Sequence, residues 1–73
     1  MQKKIADITI TDKNKNDIKI ILTHLYRKGV DKIQLKNVDE NIIREIKDDT
    51  TKLLLGFEMT EQSEKSCTIE NWD

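Results

Sequence analysis

The sequence predicts a two-layer α+β domain of β-α-β-α-β-β order, with a mixed four-stranded sheet and two helices on one face. Three observations carry this expectation. Short segments alternate apolar and polar residues with period two, as half-buried strands do. Two longer segments between them switch to the 3.6-residue period of amphipathic helices. Only a short polar stretch separates the last two strands, which implies an antiparallel hairpin, whereas each earlier pair is joined through a helix and implies parallel neighbours. Because every strand alternates rather than running continuously apolar, both helices are expected on the same face.

The elements follow in order. Residues 5–11 place Ala6, Ile8 and Ile10 on one side, and β-branched residues dominate the segment. The polar run 12–16 breaks the strand, and Asn14 or Asn16 is the expected cap of the next helix. From residue 17 to 28, Ile18, Ile21, Leu22 and Leu25 form one stripe with Tyr26 at its edge. Arg27 and Lys28 suit the negative end of the helix dipole, and Gly29 suits the left-handed residue that closes it. Residues 30–36 alternate again, with Ile33 and Leu35 on one face.

Asn37 followed by Glu40 reads as a capping box. Ile42, Ile43, Ile46, Leu53 and Leu54 then make a second stripe around Thr50, and Gly56 closes it. Phe57 and Met59 alternate with Glu58 and Thr60. A turn over residues 61–65 leads to Cys67 and Ile69, which alternate with Thr68 and Glu70. The expected core is Ile8, Ile10, Ile21, Leu25, Ile33, Leu35, Ile46, Leu53, Phe57 and Ile69, and the expected structural turns are Gly29 and Gly56. The opposite sheet face is expected to show Asp7, Thr9, Lys32, Gln34, Lys36, Glu58, Thr60, Thr68 and Glu70.

Composition excludes several classes. Thirteen Lys+Arg against fourteen Asp+Glu leave a net charge of −1, so no bulk field drives the chain to nucleic acid or membrane. No apolar run reaches the roughly 20 residues of a membrane span, and the first residues lack the apolar region of a secretory signal. A cytoplasmic domain without membrane insertion is expected. One cysteine makes no internal disulfide, and Cys67 with His24 is too small a ligand set for structural zinc. Residues 1–36 nevertheless carry nine Lys+Arg and four Asp (+5), and residues 37–73 carry four against ten (−6). Ordinary solvated faces account for this asymmetry, and attraction between the halves, within the fold or between copies of it, is the alternative.

No catalytic constellation emerges, so no catalytic, metal or cofactor site is assigned. His24 lacks a partner motif and reads as a helix-flank residue, and Cys67 reads as a small apolar core residue. Asp48, Asp49 and Glu45 read as a solvated helix face, because adjacent helical carboxylates diverge by about 100°. The isolated glycines form no phosphate-binding loop. Tyr26 and Phe57 do not belong to the exposed sheet face, where bases would stack. Trp72 is expected over the core edge or against a continuing chain. Lys32, Lys36 and Trp72 are the candidate interface or ligand contacts.

Three segments resemble a family: residues 26–35 (YRKGVDKIQL), 53–59 (LLLGFEM) and 67–71 (CTIEN). Their order and spacing are similar to the middle region of archaeal PhoU-type phosphate uptake regulators. There, a tyrosine-containing turn feeds a strand, a helix leads into a leucine–glycine–Glu segment, and a hairpin strand follows. The resemblance spans roughly residues 8–73 and implies an excised middle module of a longer regulator. It would lie between an AbrB/SpoVT-linked DNA-binding domain and a helical PhoU domain, and neither domain's functional residues map onto this chain.

The resemblance further implies a non-enzymatic regulatory or dimerisation domain in phosphate homeostasis and transcription regulation. Its expected partners are a second copy or other modules of the same chain. Phosphate transport machinery or DNA would be reached only through the full-length protein, and no cofactor is implied. A small-ligand or anion sensor using Lys32, Lys36 or the helix starts, and a stand-alone protein-interaction module, are the alternatives.

Overall fold

The structure, a computed structural model, describes residues 4–72. Strand β1 (Ile5–Thr9) leads through a single 3-10 turn (Lys15–Asp17) into helix α1 (Ile18–Arg27). Strand β2 (Lys32–Lys36), helix α2 (Glu40–Lys52) and the hairpin β3 (Phe57–Gln62) and β4 (Ser66–Asn71) follow. The sheet is mixed and four-stranded, as the alternation predicts, and its strands run in the order β1-β2-β4-β3.

One strand lies elsewhere than expected. β1 and β2 are parallel neighbours, but β2 and β3 are not, because β4 inserts between them antiparallel to both. The segment after β2 therefore travels through α2 past the position β4 will occupy, and the hairpin turns back into the gap. β4 thus becomes a central strand, with Cys67, Thr68 and Ile69 all buried.

The core forms one cluster between the helices and one sheet face. It contains Ile10, Ile33, Leu35, Phe57, Cys67 and Ile69 from the sheet side and Ile18, Leu22, Ile43 and Ile46 from the helices. Val38 and Leu54, in the loops flanking α2, complete it. Ile8, Leu25 and Tyr26 pack partly buried against it, and the Tyr26 ring meets Phe57 edge-on at 5.9 Å. Ile21 is only half-buried at the side of the stripe. Leu53, expected inside, is 40% exposed, and Leu54 occupies the core instead. Asp49, expected on a solvated face, is 2% exposed.

Gly29 closes α1 as expected, at φ +80°. The Gly29 amide donates to the Tyr26 carbonyl and the Val30 amide to the Leu25 carbonyl, the paired bonds of a Schellman stop. A Cβ at Gly29 would meet nothing within 4 Å, so only backbone strain opposes a side chain. Gly29→Ala is expected to cost about 1 kcal/mol, read from the midpoint of urea unfolding.

Gly56 serves a different turn from the one expected. α2 ends at Lys52, and Gly56 at φ +92° lies in a turn closed by the Phe57 amide on the Leu54 carbonyl.

The caps also move. Asp39, not Asn37, starts α2, its Oδ1 accepting from the Ile42 amide at 2.8 Å. Asn37 sits at φ +60°, where its Nδ2 donates to the Ile10 carbonyl at 2.7 Å and ties the ends of β1 and β2 together. Neither Asn14 nor Asn16 caps α1; Asp17 holds that position without a side-chain bond. Asn14 instead accepts from the Thr11 amide and donates to the Thr9 carbonyl.

Candidate functional site

The candidate contacts Lys32, Lys36 and Trp72 do not converge. Lys32 and Lys36 occupy opposite ends of β2, about 13 Å apart along the strand, on the sheet face away from the helices. Lys32 is half-buried and spends its charge on Glu70 of the neighbouring strand, at 3.3 Å. Lys36 is exposed opposite Ser66. Trp72 is 66% exposed rather than packed over the core edge, and its amide donates to the Gly56 carbonyl.

That sheet face follows the expected alternation until β3, although Thr68, expected to show there, is buried on the central strand β4. A bulge between Met59 and Glu61 shifts the register, so Glu61 rather than Thr60 pairs with Thr68. Glu58 stands opposite Glu70. The β3 half of the face is therefore acidic and its edge irregular, both of which discourage strand addition.

The groups that could do chemistry are held apart. Cys67 points into the core at 2% exposure, and burial pushes its thiol up to about 11, with Lys47 lowering it only in part. At mildly alkaline pH the folded protein therefore holds about a hundredfold less thiolate than a free cysteine. Alkylation by iodoacetamide at pH 8 is expected to slow by at least that factor in the folded chain and to recover fully in urea. His24 is exposed on α1. Among the described residues no three of His, Cys, Asp and Glu gather as a metal-ligand set.

Two concavities, both larger than a shallow one of about 200 Å³ between Lys47 and β3, bear on a site. The larger, about 770 Å³, lies where β1 and β2 end and α2 begins. Loops at the carboxyl ends of parallel strands are a common ligand position. Here Lys15 and Lys65 share the walls with Asp12, Asp39, Glu40 and Glu64. Lys15 already pairs with Asp12 at 3.7 Å, and the Asp39 carboxylate occupies the first-turn amide an anion would use. An anion entering at this helix start would also meet Glu40.

The second, about 460 Å³, lies on the helical layer and is lined by Lys19, Ile20, Thr23, His24, Arg27 and Leu53. Ile20 is 68% exposed. Sequence reasoning assigned no role to Ile20, Leu53 or Arg27 in a site. The readable signal was Ile20 itself, an apolar residue off the core stripe with His24 and Arg27 on its own side of α1 at helical spacing.

No family model, no curated protein and no solved structure matches this chain. No helix among the described residues is long and apolar enough to cross a membrane.

Proposed function

We propose that this chain is a non-enzymatic regulatory domain that acts by self-association, within a phosphate-responsive regulator of the PhoU-like kind its segments resemble. The observation that carries the reading is the free edge of β1. The Lys32 amide donates to the Lys4 carbonyl and the Ile10 amide to the Lys36 carbonyl. Even-numbered residues thus turn their backbone groups toward β2, and Ile5, Asp7 and Thr9 turn theirs outward. Asn14 takes the Thr9 carbonyl at 3.0 Å; no described residue pairs with the outward groups of Ile5 and Asp7.

A second copy fits this edge antiparallel, with Ala6 facing Ala6 across the two-fold axis and Ile5 facing Asp7. The small Ala6 side chains suit the closest approach of a non-hydrogen-bonded pair. The register centred on Asp7 would instead oppose two carboxylates. At the far edge, β3 carries its bulge and acidic residues, so association stops at two copies.

Sedimentation across a concentration series tests this. The mass is expected to rise from one chain to two. Asp7→Pro removes only an outward amide, which edge strands tolerate, and should stay monomeric with an unchanged circular dichroism spectrum. A chain monomeric at every concentration, or a folded Asp7→Pro protein that still dimerises, overturns the reading.

A further inference from the structure

The groove on the helical layer has properties that neither the core nor the β1 edge requires. Its floor is apolar. Ile20 projects from α1 at 68% exposure and Leu53 follows the end of α2 at 40%. The Thr23 hydroxyl donates to the Lys19 carbonyl at 2.8 Å, which consumes its donor on its own helix. The charged groups that line it are all basic: Lys19 and Arg27, with His24 between them. No carboxylate lines it. Asp49, the acid paired with Lys19, is buried, with its Oδ1 4.0 Å from the ammonium.

Single exposed aliphatics are ordinary. Two that converge in one concavity, rimmed by one sign of charge, are the pattern of a docking surface. We infer that this groove receives an acidic amphipathic segment of another protein, whose apolar residues seat on Ile20 and Leu53 and whose carboxylates meet Lys19 and Arg27.

Charge complementarity selects this occupant. A second copy docking α1 on α1 would oppose Lys19 and Arg27 with themselves. A second copy docking its acidic β3 edge would be a head-to-tail contact, which builds rings or open filaments rather than the two-copy assembly proposed above. Nucleic acid would find few phosphate contacts and an apolar floor in their place. A membrane surface needs a longer apolar face or a second anchoring signal.

The test uses the whole chain and a synthetic amphipathic peptide of about four helical turns, with a leucine stripe and a glutamate polar face. Backbone amide shifts are expected at residues 19–27 and 52–55. Ile20→Ser and Arg27→Gln, both at exposed positions, should each weaken binding about tenfold while leaving the unfolding midpoint nearly unchanged. The same peptide with lysine for glutamate should not bind. The inference is overturned if the glutamate peptide moves no amides at millimolar concentration, or if the lysine peptide binds equally well. It is also overturned if phosphatidylglycerol vesicles or duplex DNA move the same amides at lower concentration. The groove lies on the helices and the free edge on the sheet, so this titration and the sedimentation test fail independently.

Discussion

Leu54→Ala is expected to destabilise the domain by about 3 kcal/mol, whereas Leu53→Ala should stay within about 0.5 kcal/mol. The two residues are adjacent and chemically identical, so any scale built on residue type ranks them together. Their surroundings differ. Leu54 is fully buried in the common cluster, and Leu53 lies at the rim of the outer groove. The cause is the way α2 ends. The Leu53 and Leu54 amides both donate to the Asp49 carbonyl, at 2.8 and 3.0 Å. The second of these bonds spans five residues, so the last turn widens and rotates Leu54 inward. A domain of this size is stable by only about 4–10 kcal/mol, so loss of Leu54 removes a large share. Urea unfolding of the two variants measures the contrast; equal losses would mean that α2 continues through Leu53 in register.

Asp49 gives the second large effect, through pH. Its side chain is buried between the helices, and Oδ2 has no hydrogen-bond partner. Burial raises its pKa above the ordinary 3.8; Lys19 opposes the rise, Glu45 and Asp48 add to it, and Lys52 opposes it. The folded state therefore holds this proton more tightly than the unfolded state. Asp49 contributes stability that is fully present below about pH 4 and is lost as pH rises through the raised folded value. Asp49→Asn keeps the shape and removes the titration. At neutral pH the variant is expected to be more stable by about 1 kcal/mol, and the difference should vanish on acidification through pH 4. Thermal unfolding of both proteins between pH 3 and 8 reads it; a difference independent of pH would assign the effect to packing.

Asp49 also marks where sequence reading runs out. On the α2 helix it lies three residues after Ile46 and seven after Ile42, so the 3.6-residue period places it on the buried stripe. Its chemistry argued for solvent, and the period prevailed because α1 covers that face with Lys19 close enough to offset part of the charge. At the start of α2, Asn37 and Asp39 are both good caps by local chemistry. The Ile10 carbonyl, 27 positions away, engages Asn37 and leaves the cap to Asp39. The basic groove was legible only as Ile20 lying off its stripe, since Leu53 joins it through the tertiary course of the chain.

Local periodicity by itself determined the element order, the buried side of each strand, the two-layer class and the Gly29 stop, because each depends on neighbours within a turn or two of chain. Only the tertiary structure decided that β4 lies between β2 and β3, that Glu61 replaces Thr60 across the bulge, and that Leu54 rather than Leu53 fills the core. Those outcomes depend on contacts between segments far apart in sequence, and an alternating strand carries no mark of which neighbour it will join. The opposed charges of the two halves were visible from composition. Which of those charges rim a groove and which pair across the sheet, as Lys32 does with Glu70, was set by the packing that brought them together.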